Sequence, residues 1–282
     1  MAPRRTLLSA ALSVTLAAGV MAATVPAASA APAAPAAPGA PAASANGPER
    51  HWLGSQVVKH EHFKKAPEQY SIAATQTPGL DVSGWQGNVN WSSVAANGAK
   101  FAYVKATEST NYTNAYFAQQ YNGSYSAGLI RGSYHFAVPN ASSGAAQADY
   151  FISHGGGWSA DGRTLPGMLD IEWNPYGASC YGLSQSGMVN WILSFSNEYR
   201  ARTGRYPAIY TATSWWSQCT GNLGAFASTN PLVLANYNGS PGTMPYNWGY
   251  QTIWQWADSG TFPGDQDYFN GDLSRLQVFA RS

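Results

Sequence analysis

Two carboxylic acids stand one residue apart, Asp170 and Glu172, in the run GMLDIEWN (167–174). Met168, Leu169, Ile171 and Trp173 make that run apolar, and Pro166-Gly167 precede it, so it reads as a short buried strand. Residues two apart on a strand face the same side, with Cα atoms about 6.6 Å apart. Both acids then enter one cleft, where repulsion and unequal solvation hold one protonated and leave the other ionised. A proton donor beside a carboxylate is the equipment for cleaving a glycosidic bond, and the spacing leaves retaining and inverting outcomes both open.

Further acids could join them. Asp81 follows Gly79-Leu80, and Asp265 and Asp267 lie close to the end of the chain. Lys105 reads as an internal charge partner for these acids, and His135, in GSYHFA, as a hydrogen-bonded structural or pocket-lining residue. Glu108, Asp149, Asp161 and Glu198 read as surface or capping residues. The chain has eleven Trp and seventeen Tyr. Those expected at strand ends, Tyr134, Trp173, Tyr210, Tyr237, Trp254 and Trp256, offer flat faces for sugar C–H groups and hydroxyls for hydrogen bonds.

The elements that must position these groups alternate. Strand-like runs fall at 80–85, 101–108, 129–137, 167–173, 207–213, 232–237 and 252–258, with a last short piece over 265–269. Helical spacing is clearest over 184–203, where Met188, Trp191, Ile192, Phe195 and Tyr199 share a face and Gly204 supplies a stop. Phe117, Tyr121 and Tyr125 mark a second helix, and Ala145, Ala148, Phe151 and Ile152 a third. Strands alternating with helices imply parallel pairing with active groups at the carboxyl ends, and eight strands imply a closed barrel. Closure sets the first strand beside the last, so Asp81 and Asp265 can meet across one pocket. No long helical pattern follows residue 230, so the expected architecture is an irregular α/β barrel whose final strands are joined by loops.

Ahead of this region the texture differs. Residues 1–30 have a basic start (Arg4, Arg5), an apolar stretch and an Ala28-Ser29-Ala30 end, the pattern of a secretory signal. Residues 31–48 are almost only Ala, Pro, Gly and Ser, which reads as a disordered linker. A bridging segment, 49–77, carries His51, His60, His62 and Lys64-Lys65; linker and surface strap both fit it. One catalytic domain, 78–282, follows. It holds nine Lys and Arg against eleven Asp and Glu, so no basic stripe invites nucleic acid. The leader is too short and interrupted for a membrane span, and a secreted monomer without cofactor or metal is expected. Cys180 and Cys219, 39 residues apart, read as one disulfide in an exported chain.

With these residues in place, nine blocks can be set out: GLDVSGWQGNVNW (79–91), FAYVKATES (101–109), GLIRGSYHFA (128–137), QADYFIS (147–153), GMLDIEWN (167–174), IYTATSWW (209–216), LANYNG (234–239), IWQWADSG (253–260) and GDQDYFNGD (264–272). In that order they resemble the family 25 glycoside hydrolases, lysozymes that act as N-acetylmuramidases on peptidoglycan. The resemblance implies a TIM-like barrel of five β/α units followed by three strands. It implies Glu172 as general acid, Asp170 as its paired carboxylate, Asp81 as the opening acid and Asp265 as the fourth, with Asp267 beside it. Ser109, where a Gly commonly stands, and Gly264, where an apolar residue often stands, depart from the family pattern. A chitinase or endo-N-acetylglucosaminidase, a non-catalytic wall-binding barrel, and a zinc amidase using His51, His60 and His62 are the competing readings.

Overall fold

The computed structural model describes residues 51–61, 63 and 75–282. The expected signal, the linker and His62 lie outside them. A short helix, α1 (Val57–His60), precedes β1 (Thr77–Val82). Then follow α2 (Trp91–Ala96), β2 (Phe101–Glu108), β3 (Tyr112–Thr113), α3 (Phe117–Ser126), β4 (Ile130–Phe136), α4 (Gly144–Phe151), β5 (Met168–Asp170), α5 (Gln185–Thr203), β6 (Ala208–Thr211) and α6 (Thr213–Thr220). The chain ends with β7 (Leu232–Ala235), β8 (Ile253–Ala257), β9 (Asp265–Phe269) and α7 (Leu273–Arg281).

Eight strands close in the order β1-β2-β4-β5-β6-β7-β8-β9 and back to β1, with β3 a hairpin strand beside β2. Pairing is parallel from β1 to β8 and antiparallel on both sides of β9. Five β/α units followed by three strands is the expected architecture. The strands' near-continuous apolar runs follow from burial on both faces, barrel interior on one side and helices on the other.

Three local expectations need correction. The β5 ladder stops at Asp170, because the pairings with β4 and β6 end there; Glu172 lies just beyond the strand. On α3 the buried residues are Gln120 and Ser124, whereas Tyr125 is exposed; Gln120 turns inward to donate to the carbonyls of Ser83 and Gly87. A final helix, α7, buries only Leu276 and Ala280, too few positions to give a readable period. The long helix α5 holds as expected, burying Met188, Trp191, Ile192, Phe195 and Tyr199.

Alternation along each strand sorts residues to two sides. On β2, Phe101, Tyr103 and Lys105 face the barrel interior. Ala102 and Val104 join Leu80, Val82, Trp91, Val94 and Leu129 in a cluster beneath α2 and α3. The larger cluster joins the barrel interior, Phe101 and Tyr103 included, with the faces under α4, α5 and α6. Cys180 and Cys219 form a disulfide tying the loop after β5 to α6.

Candidate active site

Strand register brings the acids to one mouth of the barrel. Asp81 pairs with Asp265 across β1 and β9, and Asp170 pairs with Tyr210 and Phe136 across β5's neighbours; paired residues share a side. Asp267 pairs with Gly79 and Gln255, one layer deeper than Asp265. All five acids, Asp81, Asp170, Glu172, Asp265 and Asp267, are buried.

Gln255 ties this group together, and the sequence reading missed it. Its Nε2 donates to Oδ2 of Asp81 (2.8 Å) and to Oδ2 of Asp265 (3.0 Å). Its Oε1 accepts from the hydroxyls of Tyr210 (2.7 Å) and Tyr237 (2.6 Å). The available signal was a lone amide between aromatics in IWQWA, on the inward side of β8. Trp254, by the same alternation, points outward: its indole donates to the carbonyl of Asn236 (2.7 Å) and its ring lies near Tyr268. Trp256 stacks on Tyr268 as well. The structure therefore brings Tyr134, Tyr210 and Tyr237 to the mouth, with Trp173 beside it, and leaves Trp254 on the outer face.

Burial controls the electrostatics. It pushes the Asp81 carboxyl up to about 8, against the pull of the Gln255 hydrogen bond. Asp170 is held well above the usual carboxylate range by burial and then by the Glu172 charge, with Lys105 opposing; burial thus raises both acids of the pair, where their spacing alone predicts one protonated and one ionised. Neither oxygen of Asp170 has a hydrogen-bond partner among the described residues. Asp265 and Asp267 are raised for the same first cause and by the Asp81 charge. Glu172 is raised to about 8 by burial, while backbone N–H groups of Gln56, Gly54 and Val57 pull it down.

Those three N–H groups belong to the upstream segment. Gly54 N donates to Oε1 of Glu172 (2.9 Å), and Gln56 N and Val57 N donate to Oε2 (2.9 and 3.0 Å). Leu53 N donates to the Tyr134 hydroxyl (3.2 Å), and Gln255 Nε2 reaches the Leu53 carbonyl (3.4 Å). His60 lies flat on Trp173, with centroids 4.9 Å apart.

Lys105 pairs with Glu108 (2.8 Å), both fully buried, and donates to the His51 carbonyl. Glu108 also accepts from the Tyr176 hydroxyl. Glu108 is thus part of the mouth's charge network, not a surface acid. His135 faces away from the interior: Nδ1 meets Thr107 Oγ1 (2.8 Å) and Nε2 meets Gln147 Oε1 (2.9 Å), and burial lowers it to about 4. It is structural. Asp161 caps a turn, accepting from the N–H groups of Arg163 and Thr164. Both departures from the family pattern have local accounts. Ser109 takes φ 51°, a left-handed value that a glycine reaches at lower cost. Gly264 has φ +79°, and a Cβ there would strike the Asp81 carbonyl.

Among the described residues no three or more His, Cys, Asp or Glu are grouped to hold a metal ion, and no helix is long and apolar enough to cross a membrane. A depression of about 590 Å³, lined by Arg205, Asn230, Thr252, Asn270 and Arg275 among others, lies at the opposite end of the barrel and contains no acid.

Comparison with known proteins places this geometry. The family model for glycosyl hydrolases family 25 matches residues 80–265. An N,O-diacetylmuramidase of Chalaropsis sp is 54% identical over 206 residues, spanning 72% of this chain and 98% of that protein. Lysozyme M1 of Streptomyces globisporus is 47% identical over 244 residues, spanning 84% of this chain and 83% of the relative. The solved structure of a family GH25 lysozyme from Aspergillus fumigatus superimposes with a TM-score of 0.73 at 51% identity, covering 74% of this chain and all of that one.

Proposed function

The chain belongs to glycosyl hydrolases family 25 and is a glycoside hydrolase of the lysozyme kind; we propose that Glu172 and Asp170 carry its chemistry on bacterial peptidoglycan. The bond cut is the β-1,4 link between N-acetylmuramic acid and N-acetylglucosamine. What supports the assignment is the convergence of Asp170 and Glu172 at the mouth where Gln255 bridges Asp81 and Asp265.

Glu172, its carboxyl raised by burial, donates a proton to the glycosidic oxygen. Asp170 has no hydrogen-bond partner of its own on either oxygen among the described residues; held neutral by burial in the closed site, it ionises once the cleft opens to water and then faces the reacting centre. There it steadies the positive charge at the anomeric carbon or orients the substrate's acetamido group. Asp81 and Asp265 act together through Gln255, placing water or sugar. Tyr134, Tyr210, Tyr237 and Trp173 contact the glycan, and Asp267 supports from below.

We assign residues 1–30 to export, 31–48 to a linker and 78–282 to the catalytic domain, acting outside the cell as a monomer. The test is product analysis. Peptidoglycan digested by the protein should gain reducing-end N-acetylmuramic acid. New reducing-end N-acetylglucosamine would move the assignment to a glucosaminidase, and preference for soluble chitin to a chitinase.

A further inference from the structure

Residues 51–61 lie against the acids and tyrosines assigned above to the glycan. Leu53, Ser55, Gln56 and Val57 are buried, and the contacts run along the mouth from end to end. The segment uses both oxygens of Glu172, the Tyr134 hydroxyl, Gln255 and Lys105. Its rings cover the aromatic faces: Trp52 stands edge-on to Trp85 (5.4 Å), His60 lies on Trp173, and Phe63 beyond it packs on Tyr237 (4.5 Å). Gly54 sits at the centre with φ +81°, and its Cα lies so near the hydroxyls of Tyr210 and Tyr237 and the amide of Gln255 that a Cβ would come within 2.7–2.8 Å of all three.

The barrel does not need this segment to close, since every strand pairing lies within 77–269. The Aspergillus structure and the Chalaropsis relative match nearly their whole length to about three quarters of this chain, which is the extent of 77–282. The Streptomyces relative's match is longer than that span.

We propose that residues 51–61 are an intramolecular plug that keeps the enzyme latent, by filling the glycan cleft and engaging both oxygens of Glu172 with peptide N–H groups, until the segment is displaced. The proposal rests on the assignment of Glu172 above. It follows from two facts of chemistry. A carboxyl group enclosed by three peptide donors cannot reach a glycosidic oxygen. A tethered segment also competes at an effective concentration of about millimolar, which an untethered glycan rarely matches.

The test uses the full chain. Gly54→Ala forces a side chain into the left-handed region and against three polar groups, which should loosen the plug by about tenfold or more. Leu53→Asp, burying a charge only when the plug is seated, is the second variant. Near-ultraviolet circular dichroism checks that each is folded. Both should clear a suspension of bacterial walls at least about tenfold faster than the unaltered chain, on the same estimate. A synthetic 51–61 peptide should slow the Gly54→Ala enzyme, and the same peptide carrying Gly54→Ala should not. An unaltered chain as fast as two folded variants, or folded variants slower than it, overturns the plug. If no form lyses walls, the lysozyme assignment fails separately. The plug is then judged by binding of a soluble peptidoglycan tetrasaccharide. Tenfold tighter binding by Gly54→Ala supports it, and equal affinity overturns it.

Discussion

Asp170→Asn separates charge from shape. The two side chains have nearly the same volume, and the site is fully buried, so packing is preserved. What disappears is the negative charge that Asp170 can carry once the cleft is open; in the closed site burial opposes that charge and neither oxygen has a hydrogen-bond partner among the described residues. A unit charge acting on a positive centre about 4 Å away contributes about 4 kcal/mol at an effective dielectric of about 20. At about 1.4 kcal/mol per tenfold, turnover should fall by about three orders of magnitude. Stability should not fall with it, because the cost of ionising a buried carboxyl beside Glu172 has been removed; the melting temperature above pH 7 should stay level or rise. Release of soluble muropeptides gives the rate, and calorimetry gives the stability, each in the unaltered and the Gly54→Ala chains. Undiminished turnover would remove Asp170 from the chemistry. A large loss of both activity and stability would recast it as a structural group.

Acid pH should stabilise the fold. Asp81 and Glu172 are raised from 3.8 and 4.5 to about 8, so the folded state binds protons that the unfolded state has released. Stability is then full below pH 4 and is lost towards pH 8, by up to about 1.4 kcal/mol per pH unit for each carboxyl. His135, lowered to about 4, opposes this only below pH 6.5. A higher melting temperature at pH 8 than at pH 5.5 would contradict the assigned burial. Replacing Cys180 and Cys219 by Ser opens a 39-residue separation, for which loop entropy gives about 4 kcal/mol. That should lower the melting point by about 9 °C, and a shift under about 2 °C would refute the entropic account. Lys105→Met leaves Glu108 buried beside a lost partner, at a cost of about 3–5 kcal/mol. Adding Glu108→Gln should recover most of it in a thermal melt, and a double variant no more stable than the single would sink the pairing.

The parts of the molecule carried by side-chain pattern were readable in the sequence. Strand periodicity located the eight barrel strands, α5 showed its buried face, and the 170/172 spacing found the mouth. Glu108 was misread because a charge at a strand end looks solvated unless its partner, Lys105, is known to be sealed in with it. Trp254 was misread because aromatic content does not say which side of β8 a ring takes; the position of Gln255 decides that. The segment 51–61 left almost no signal. It seats only Leu53 and Val57 as buried apolar side chains and makes its decisive contacts through peptide N–H groups, which every residue but proline possesses.

The proposed role of Glu172 as proton donor can be tested directly by comparing two leaving groups in Glu172→Gln, built on the Gly54→Ala chain. Peptidoglycan, whose leaving sugar needs a proton, should be cut about 10²–10⁴-fold more slowly. An aryl N-acetylmuraminide with an acidic phenol needs no proton and should lose far less. Equal losses on both substrates, or wall lysis at the parent rate, would contradict a proton delivered from residue 172.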